Sequence, residues 1–436
     1  MTTDLRQVVI TGMGLVSPIG DTLEQFWDSL CQRRSGVGPL TSVPTDAFPM
    51  SFAAEASGFR GHIDNFGTLE KDRKKAIRKG LKVMCRECQM GVAVAQKALA
   101  HAGLKTGEFE PERTGVAFGS DYMLTLAEEF TEGVLHCLSD DGEFDFRRWP
   151  LDGMPKMSPL WLLKYLPNMP ASHVAIYNDL RGPNNSLTLR EAVPNVALGE
   201  AYQAIARDRA DVMIAGATGT RLHPMKMIHV VQNEELADSS VSPEKASRPF
   251  DQGRTGMVLG EGAGAVVLEE RRRAEDRNAK IYGEVLGTAS SASVGPKLTA
   301  RRGEALATAL SSVLRTAGLP LESLGHVQAH GLSTRTCDTE EAQAINRILD
   351  QHVKTIPVTA VKSYFGNLGA GSGMVELIAG VLALQHGHLF PTLNFERQDP
   401  SCPVSVRAEE ADPGKSFVNL NVTPQGQASA AIVRMA

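Results

Sequence analysis

Both halves of the chain carry the same alternation: a short apolar or β-branched run, a turn rich in glycine or polar residues, then a helical stretch. In the first half the pattern predicts strands at residues 6–10, 115–119, 210–216 and 257–269, and helices at 22–31, 69–104 and 195–206. In the second it predicts strands at 281–286, 326–329, 358–361 and 430–434, and helices at 302–317, 340–349 and 373–385. Continuous apolar strands separated by helices define an α/β protein with mostly parallel sheets buried on both faces. Residues 121–160 lack a clear period and read as an irregular insertion. No low-complexity linker divides the halves, so they are expected to pack as one body. At 436 residues the chain is long enough for a large core.

Composition removes several function classes. Lys+Arg is 45 against 50 for Asp+Glu, a formal charge of −5, which argues against general nucleic-acid binding. No apolar run reaches the length of about 20 residues that a membrane span needs. The opening MTTDLRQVVITG leads straight into a strand and has no signal-peptide pattern. Six cysteines are too sparse for a disulfide scaffold, and a reducing cytoplasm is the expected compartment.

Three motifs have bland readings as well as functional ones. Gly12 and Gly14 begin a GxGxxG pattern, but Ser17 stands at the third glycine position, and a tight strand-end turn is the expected structure. Cys85 and Cys88 form a single CxxC in a helical stretch, with no second pair nearby for a metal. Buried thiols are expected, with a redox or metal role as the alternative. Lys71, Arg73, Lys74, Lys75, Arg78, Lys79, Lys82 and Arg86 form a basic run that is either a solvated face or a docking surface for an acidic partner.

Three segments, at residues 181–217, 327–345 and 358–384, each join a strand to a helix through a polar or glycine-rich turn. Such strand ends are where α/β proteins place their sites. Convergence there of His330, Lys362 and Asn367 would be chemically meaningful, and Glu341 is placed to pair with Lys362. For His330 alone, a hydrogen-bonded core histidine is an equal reading.

At these residues the sequence resembles the β-ketoacyl-ACP synthases of the KAS I/II type, in the thiolase superfamily. The likeness runs through VVITGMGLVSPIG, SPLWLLKYLPNMPASHVAIYNDLRGPNNS, ADVMIAGA, SRPFDQGRTGMVLGEGAGAVVLEE, AHGLST and the Lys362 segment. It implies a duplicated thiolase fold of five layers, α/β/α/β/α, with an N-terminal half at 1–269 and a C-terminal half at 270–436. It also implies a homodimer or a heterodimer with an intact ketosynthase, and acyl carrier protein (ACP) as partner. No bound cofactor is implied beyond the ACP's phosphopantetheine arm, which carries the substrate, and no metal.

The family condenses acyl thioesters with a Cys-His-His triad. Counted without gaps, its cysteine position falls here on Glu191, after Arg190. His330 matches the first histidine, Lys362 the lysine and Glu341 that lysine's usual acidic partner, whereas Asn367 replaces the second histidine. Of the two threonines that hold the phosphopantetheine arm, Leu332 replaces the first and Thr334 remains. The loop that supplies an oxyanion-hole N–H reads Thr423-Pro424-Gln425-Gly426, and proline has no N–H. A carboxylate is a poor acyl carrier, because an acyl-glutamyl anhydride is more reactive than the thioester it comes from. Cys337, near His330, is a weak alternative nucleophile. The resemblance therefore implies a non-condensing, chain-length-factor-like partner subunit. The alternative is an acyl-thioester enzyme, chiefly a malonyl-ACP decarboxylase, using His330 and Asn367. Glu191 is expected either protonated, mimicking glutamine, or neutralised by Arg190. Arg73, Lys74, Lys75 and Arg78 are the expected ACP-docking residues.

Overall fold

A computed structural model describes residues 5–105 and 107–436, so the first four residues of the opening segment lie outside the description. Ten strands form the main sheet: β1 (Val8–Val16), β2 (Thr114–Ser120), β3 (Asn184–Thr188), β4 (Val212–Thr220), β5 (Glu261–Glu270), β6 (Gly283–Ala292), β7 (His326–Gln328), β8 (Val358–Thr359), β9 (Ser416–Val422) and β10 (Gln427–Arg434). Their order is β8-β7-β9-β10-β6-β1-β5-β4-β2-β3. Strands of the first half lie on one side of the β1–β6 junction and strands of the second half on the other. The junction itself is short, pairing Val9 with Glu284 and Ile10 with Gly283.

The α/β class and the layered architecture are as expected, but the sheets are mixed rather than mostly parallel. Parallel pairs run β8–β7, β7–β9, β4–β2 and β2–β3. Antiparallel pairs run β1–β5, β5–β4, β9–β10 and β10–β6. Burial on both faces gives the central strands an apolar composition whether they pair parallel or antiparallel, so strand direction is not encoded in it.

Helices α5 (Val193–Ala206) and α9 (Ser372–His386) pack between the two groups of strands. Helix α3 (Arg86–His101) covers the first group from outside, and α7 (Arg302–Ala317) with α8 (Arg335–Leu349) covers the second. Helix α9 is buried from Ser372 to Leu384 and, apart from Ser372 and Glu376, apolar over that span, as a central layer requires. Further helices include α1 (Leu23–Cys31), capped by the Thr22 side chain, α4 (Met169–Asn178) and α6 (Pro224–Asn233).

Two expectations are corrected here. Gly12 and Gly14 are not in a turn but inside β1. A Cβ at either position would come within 2.4 Å of a backbone carbonyl of α3, so glycine is needed for the strand and helix to approach. The single helix expected at 69–104 is two: α2 (Lys71–Gly80) and α3, separated by the turn Leu81–Val83 and by extended backbone at Met84 and Cys85. The break lets the polar α2 lie on the surface, anchored by Ile77, while α3 turns into the core.

Candidate functional site

The polar site assembles from loops at the C-terminal ends of strands. Glu191 lies in the tight turn that leads from β3 into the buried helix α5. Arg190 before it takes a left-handed φ of 48°, a conformation that costs a non-glycine residue about 1–3 kcal/mol. That bend drives the Glu191 side chain inward, and the residue is 0% exposed. Arg221, the first residue after β4, is equally buried, and its Nη2 donates to Glu191 Oε1. Asn367 Nδ2 donates to the same oxygen at 3.1 Å, and Arg190 Nε lies 3.4 Å from Oε2. Arg190 also donates to Glu234 at 2.7 Å, and Asp121 stands 3.7 Å from Arg221. The Glu191 carboxyl group thus lies between two guanidinium groups. Its main partner is Arg221 rather than the expected Arg190.

Asn367 is held on its other side too. Its Oδ1 accepts from the Gly369 N–H at 2.9 Å and from the Ser372 hydroxyl at 3.3 Å. Both ends of the amide are therefore committed.

His330 follows β7 and is fully buried. Lys362 Nζ donates to the His330 carbonyl at 2.8 Å and lies 3.2 Å from His330 Nδ1. An ammonium has no lone pair, so Nδ1 accepts and the proton sits on Nε2. Burial, then the Lys362, Arg302 and Arg221 cations, push His330 well below the ordinary imidazole pKa, so the ring is neutral. Among the described residues Nε2 has no hydrogen-bond partner, which leaves its N–H free to donate in the site.

The acidic partner of Lys362 is Glu376 of α9, not Glu341. Glu341 instead accepts the backbone N–H groups of His330 and Gly331 at 2.7 and 2.8 Å, fixing the loop that carries the histidine. Glu376 lies 14 residues beyond Lys362, in the first turns of an otherwise largely apolar helix. It is also tied to Asn421 Nδ2 at 2.6 Å, part of a buried amide cluster with Asn195 and Asn419.

Leu332, Thr334 and Pro424 do come together. With Cys337, Met257, Arg302 and Glu234 they line a cavity of about 90 Å³, room for about three waters. Met257 touches Asn367, and Glu234 touches Arg190, so this cavity adjoins the site. Pro424 lies in the turn joining β9 to β10, closed by the Gly426 N–H on the Thr423 carbonyl at 3.0 Å. Thr334 caps α8 by accepting the Cys337 N–H at 3.3 Å. Burial pushes the Cys337 thiol well above its ordinary pKa, which leaves it a poor nucleophile.

On α2, Lys75 and Arg78 face solvent, Lys74 pairs with Asp64 at 2.7 Å, and Arg73 is half-buried beside Gln96. Arg86 leaves the basic face altogether, its guanidinium bound to Glu261 and to the Ala56 and Phe59 carbonyls.

Central helices between two groups of strands, with a polar site at the strand ends, define a thiolase-type fold. The description "Beta-ketoacyl synthase, N-terminal domain" matches residues 5–274, and "Beta-ketoacyl synthase, C-terminal domain" matches residues 282–396. The chain belongs to the β-ketoacyl synthase family, whose members act in fatty acid and polyketide synthesis. It is 33% identical over 400 residues to 3-oxoacyl-[acyl-carrier-protein] synthase 2 of Synechocystis sp., covering 91% of this chain and 90% of that protein. It is 32% identical over 413 residues to the granaticin polyketide putative β-ketoacyl synthase 1 of Streptomyces violaceoruber, covering 93% and 94%. Among solved structures it is similar to the ishigamide ketosynthase/chain length factor (TM-score 0.81, 25% identity, 99% of this chain and 100% of that one). A type II polyketide acyl-carrier protein in complex with its ketosynthase shares the fold (TM-score 0.84, 23% identity, 99% and 100%). No helix among the described residues is long and apolar enough to cross a membrane.

Proposed function

We propose that this chain is a non-condensing ketosynthase-family subunit that works beside a cysteine-bearing ketosynthase. The carrying observation is the buried Glu191–Arg221 ion pair. In this reading Glu191 occupies the nucleophile position and cannot carry an acyl group, because its carboxylate is held by Arg221, Arg190 and Asn367. A nucleophile must be activated and free to attack. The adjoining cavity is too small for an acyl chain; ligand pockets usually run to about 300–1,000 Å³. Exposed apolar side chains at Phe146, Leu151, Met154, Leu160 and Ile176, together with the open edge of β3, support pairing with a second subunit. The acidic ACP is the proposed carrier, presenting its phosphopantetheine arm, with Lys75 and Arg78 of α2 as its docking residues. The test is co-expression with a cysteine-bearing ketosynthase, followed by native mass spectrometry. A one-to-one complex that elongates acyl-ACP supports the reading, and two separate homodimers overturn it.

A second reading rests on the free Nε2–H of His330. Decarboxylation of malonyl-ACP needs donors where enolate charge develops, not a cysteine. His330 supplies one such donor, but Asn367, expected as the other, is already committed to Glu191. Acetyl-ACP formed by the isolated chain would favour this reading over the first.

A further inference from the structure

One cluster of soft side chains lies outside the site described above. Cys85 is the N-cap of α3, with φ −72° and ψ 175°, so the motif opens a helix rather than sitting inside one. This start brings Cys88 Sγ to 3.6 Å from Cys85 Sγ. Met123, beyond the end of β2, places its thioether sulfur 3.7 Å from Cys85 Sγ. Cys85 Sγ therefore touches two further sulfurs, one of them from a segment distant in sequence.

Their spacing matches a shared ion. Two sulfurs bound at about 2.3 Å to one metal, about 110–120° apart, lie about 3.8–4.0 Å from each other. The two separations from Cys85 Sγ, 3.6 and 3.7 Å, reach that range by movements of a few tenths of an ångström. Cys88 and Met123 are buried, while Cys85 is partly exposed and lines a cavity of about 850 Å³, which gives an ion a route in. The nearest carboxylate, Glu87, is already held by Lys226 at 2.8 Å. Among the described residues, no three of His, Cys, Asp and Glu converge as a metal-ligating group. The donor set is therefore sulfur alone.

We infer that Cys85, Cys88 and Met123 form a binding site for a soft monovalent metal ion of the Cu(I) type. Thiolate and thioether donors select soft ions over zinc or magnesium. On binding, each thiol gives its proton to solvent and forms one metal–sulfur bond, and Met123 adds a neutral lone pair. One M⁺ and two thiols yield a complex of charge −1 and two protons, with no change of oxidation state. The N-terminus of the 16-residue α3 favours that negative charge. The inference is independent of the role proposed for Glu191.

The full-length reduced chain should be titrated anaerobically with Cu(I) in competition with bicinchoninate, and with Ag(I) as a redox-silent check. One tightly held equivalent is expected, with copper K-edge absorption showing three sulfurs at about 2.3 Å. Met123→Leu preserves the packing volume and should cut the shell to two sulfurs, weakening binding at least tenfold. Cys85→Ser should abolish binding. If that variant does not fold, Cys88→Ala tests the same donor pair. Binding that survives loss of either cysteine would place the ion on Cys31, Cys137, Cys337 or Cys402 and overturn the assignment. An unchanged three-sulfur shell in Met123→Leu, or no stoichiometric binding by the parent chain, would overturn it too.

Discussion

The Arg221 guanidinium, at the end of β4, holds the Glu191 carboxylate at the start of the central helix, with both residues excluded from solvent. Removing one member of such a pair leaves an uncompensated buried charge, which costs about 3–5 kcal/mol. Arg221→Met should therefore destabilise the fold by about that amount in denaturant titrations. The double variant Arg221→Met/Glu191→Leu should recover most of the loss. A double variant no more stable than Arg221→Met would mean that the pair is not the source of the effect.

Glu191→Cys offers a sharper probe of the site's electrostatics. The new thiol would sit at a helix start beside two guanidinium groups, both of which favour thiolate. Alkylation of position 191 should proceed appreciably below the usual thiol range. Condensation should not appear, because Asn367, not a second histidine, completes the site. Full condensing activity in this variant would show that the cysteine alone was missing.

The lysine pairing can be separated by double-mutant cycles. Lys362→Met with Glu376→Gln should show a coupling of more than about 1 kcal/mol, the range for residues in one buried network. The coupling of Lys362 with Glu341 should be much smaller, since Glu341 is spent on two backbone amides.

Two buried histidines make the fold acid-sensitive. Burial pushes His326 down to about 4, and His330 is also held well below the usual value. Below pH about 6.5 the unfolded chain takes up protons that the folded chain refuses, so stability falls as pH drops. His326 alone should remove about 3 kcal/mol between pH 6.5 and 4. His326→Asn keeps a donor for the Pro413 carbonyl, 2.8 Å from Nδ1. It should flatten the pH dependence of chemical denaturation, and an unchanged slope would count against this account.

Charge reversal on α2 tests the docking face. Lys75→Glu with Arg78→Glu should weaken binding of acidic ACP about tenfold or more and reduce its salt dependence. Arg86→Glu would instead disturb the fold, since that residue holds Glu261. Equal affinity for the parent and the α2 double variant would remove ACP from this face.

Much of the frame was legible in sequence because buried strands and helices leave strong apolar periods. Helix α7 and the strands around residues 115, 212 and 326 appear where the pattern places them. Strand β9, SFVNLNV, was missed because Asn419 and Asn421 interrupt its apolar run, although both are buried in the amide cluster. Helix α4 was not among the predicted helices, although it lies just beyond the aperiodic stretch at 121–160. At the site, His330, Lys362 and Asn367 were named from their turns and Glu191 from the family resemblance, but Arg221, Asp121, Glu234 and Glu376 were not named. Their partners are distant in sequence, and only the fold brings them together. Arg221 did carry one signal, a charge directly after the buried strand ADVMIAGATGT.

The central claim is that the paired Glu191 makes the site non-condensing. The direct measurement is intact-mass spectrometry of the purified chain, alone, with medium-chain acyl-ACP and malonyl-ACP. The account predicts an unmodified protein mass and no β-ketoacyl-ACP. An acylated protein, or β-ketoacyl-ACP whose formation requires this chain, would contradict it.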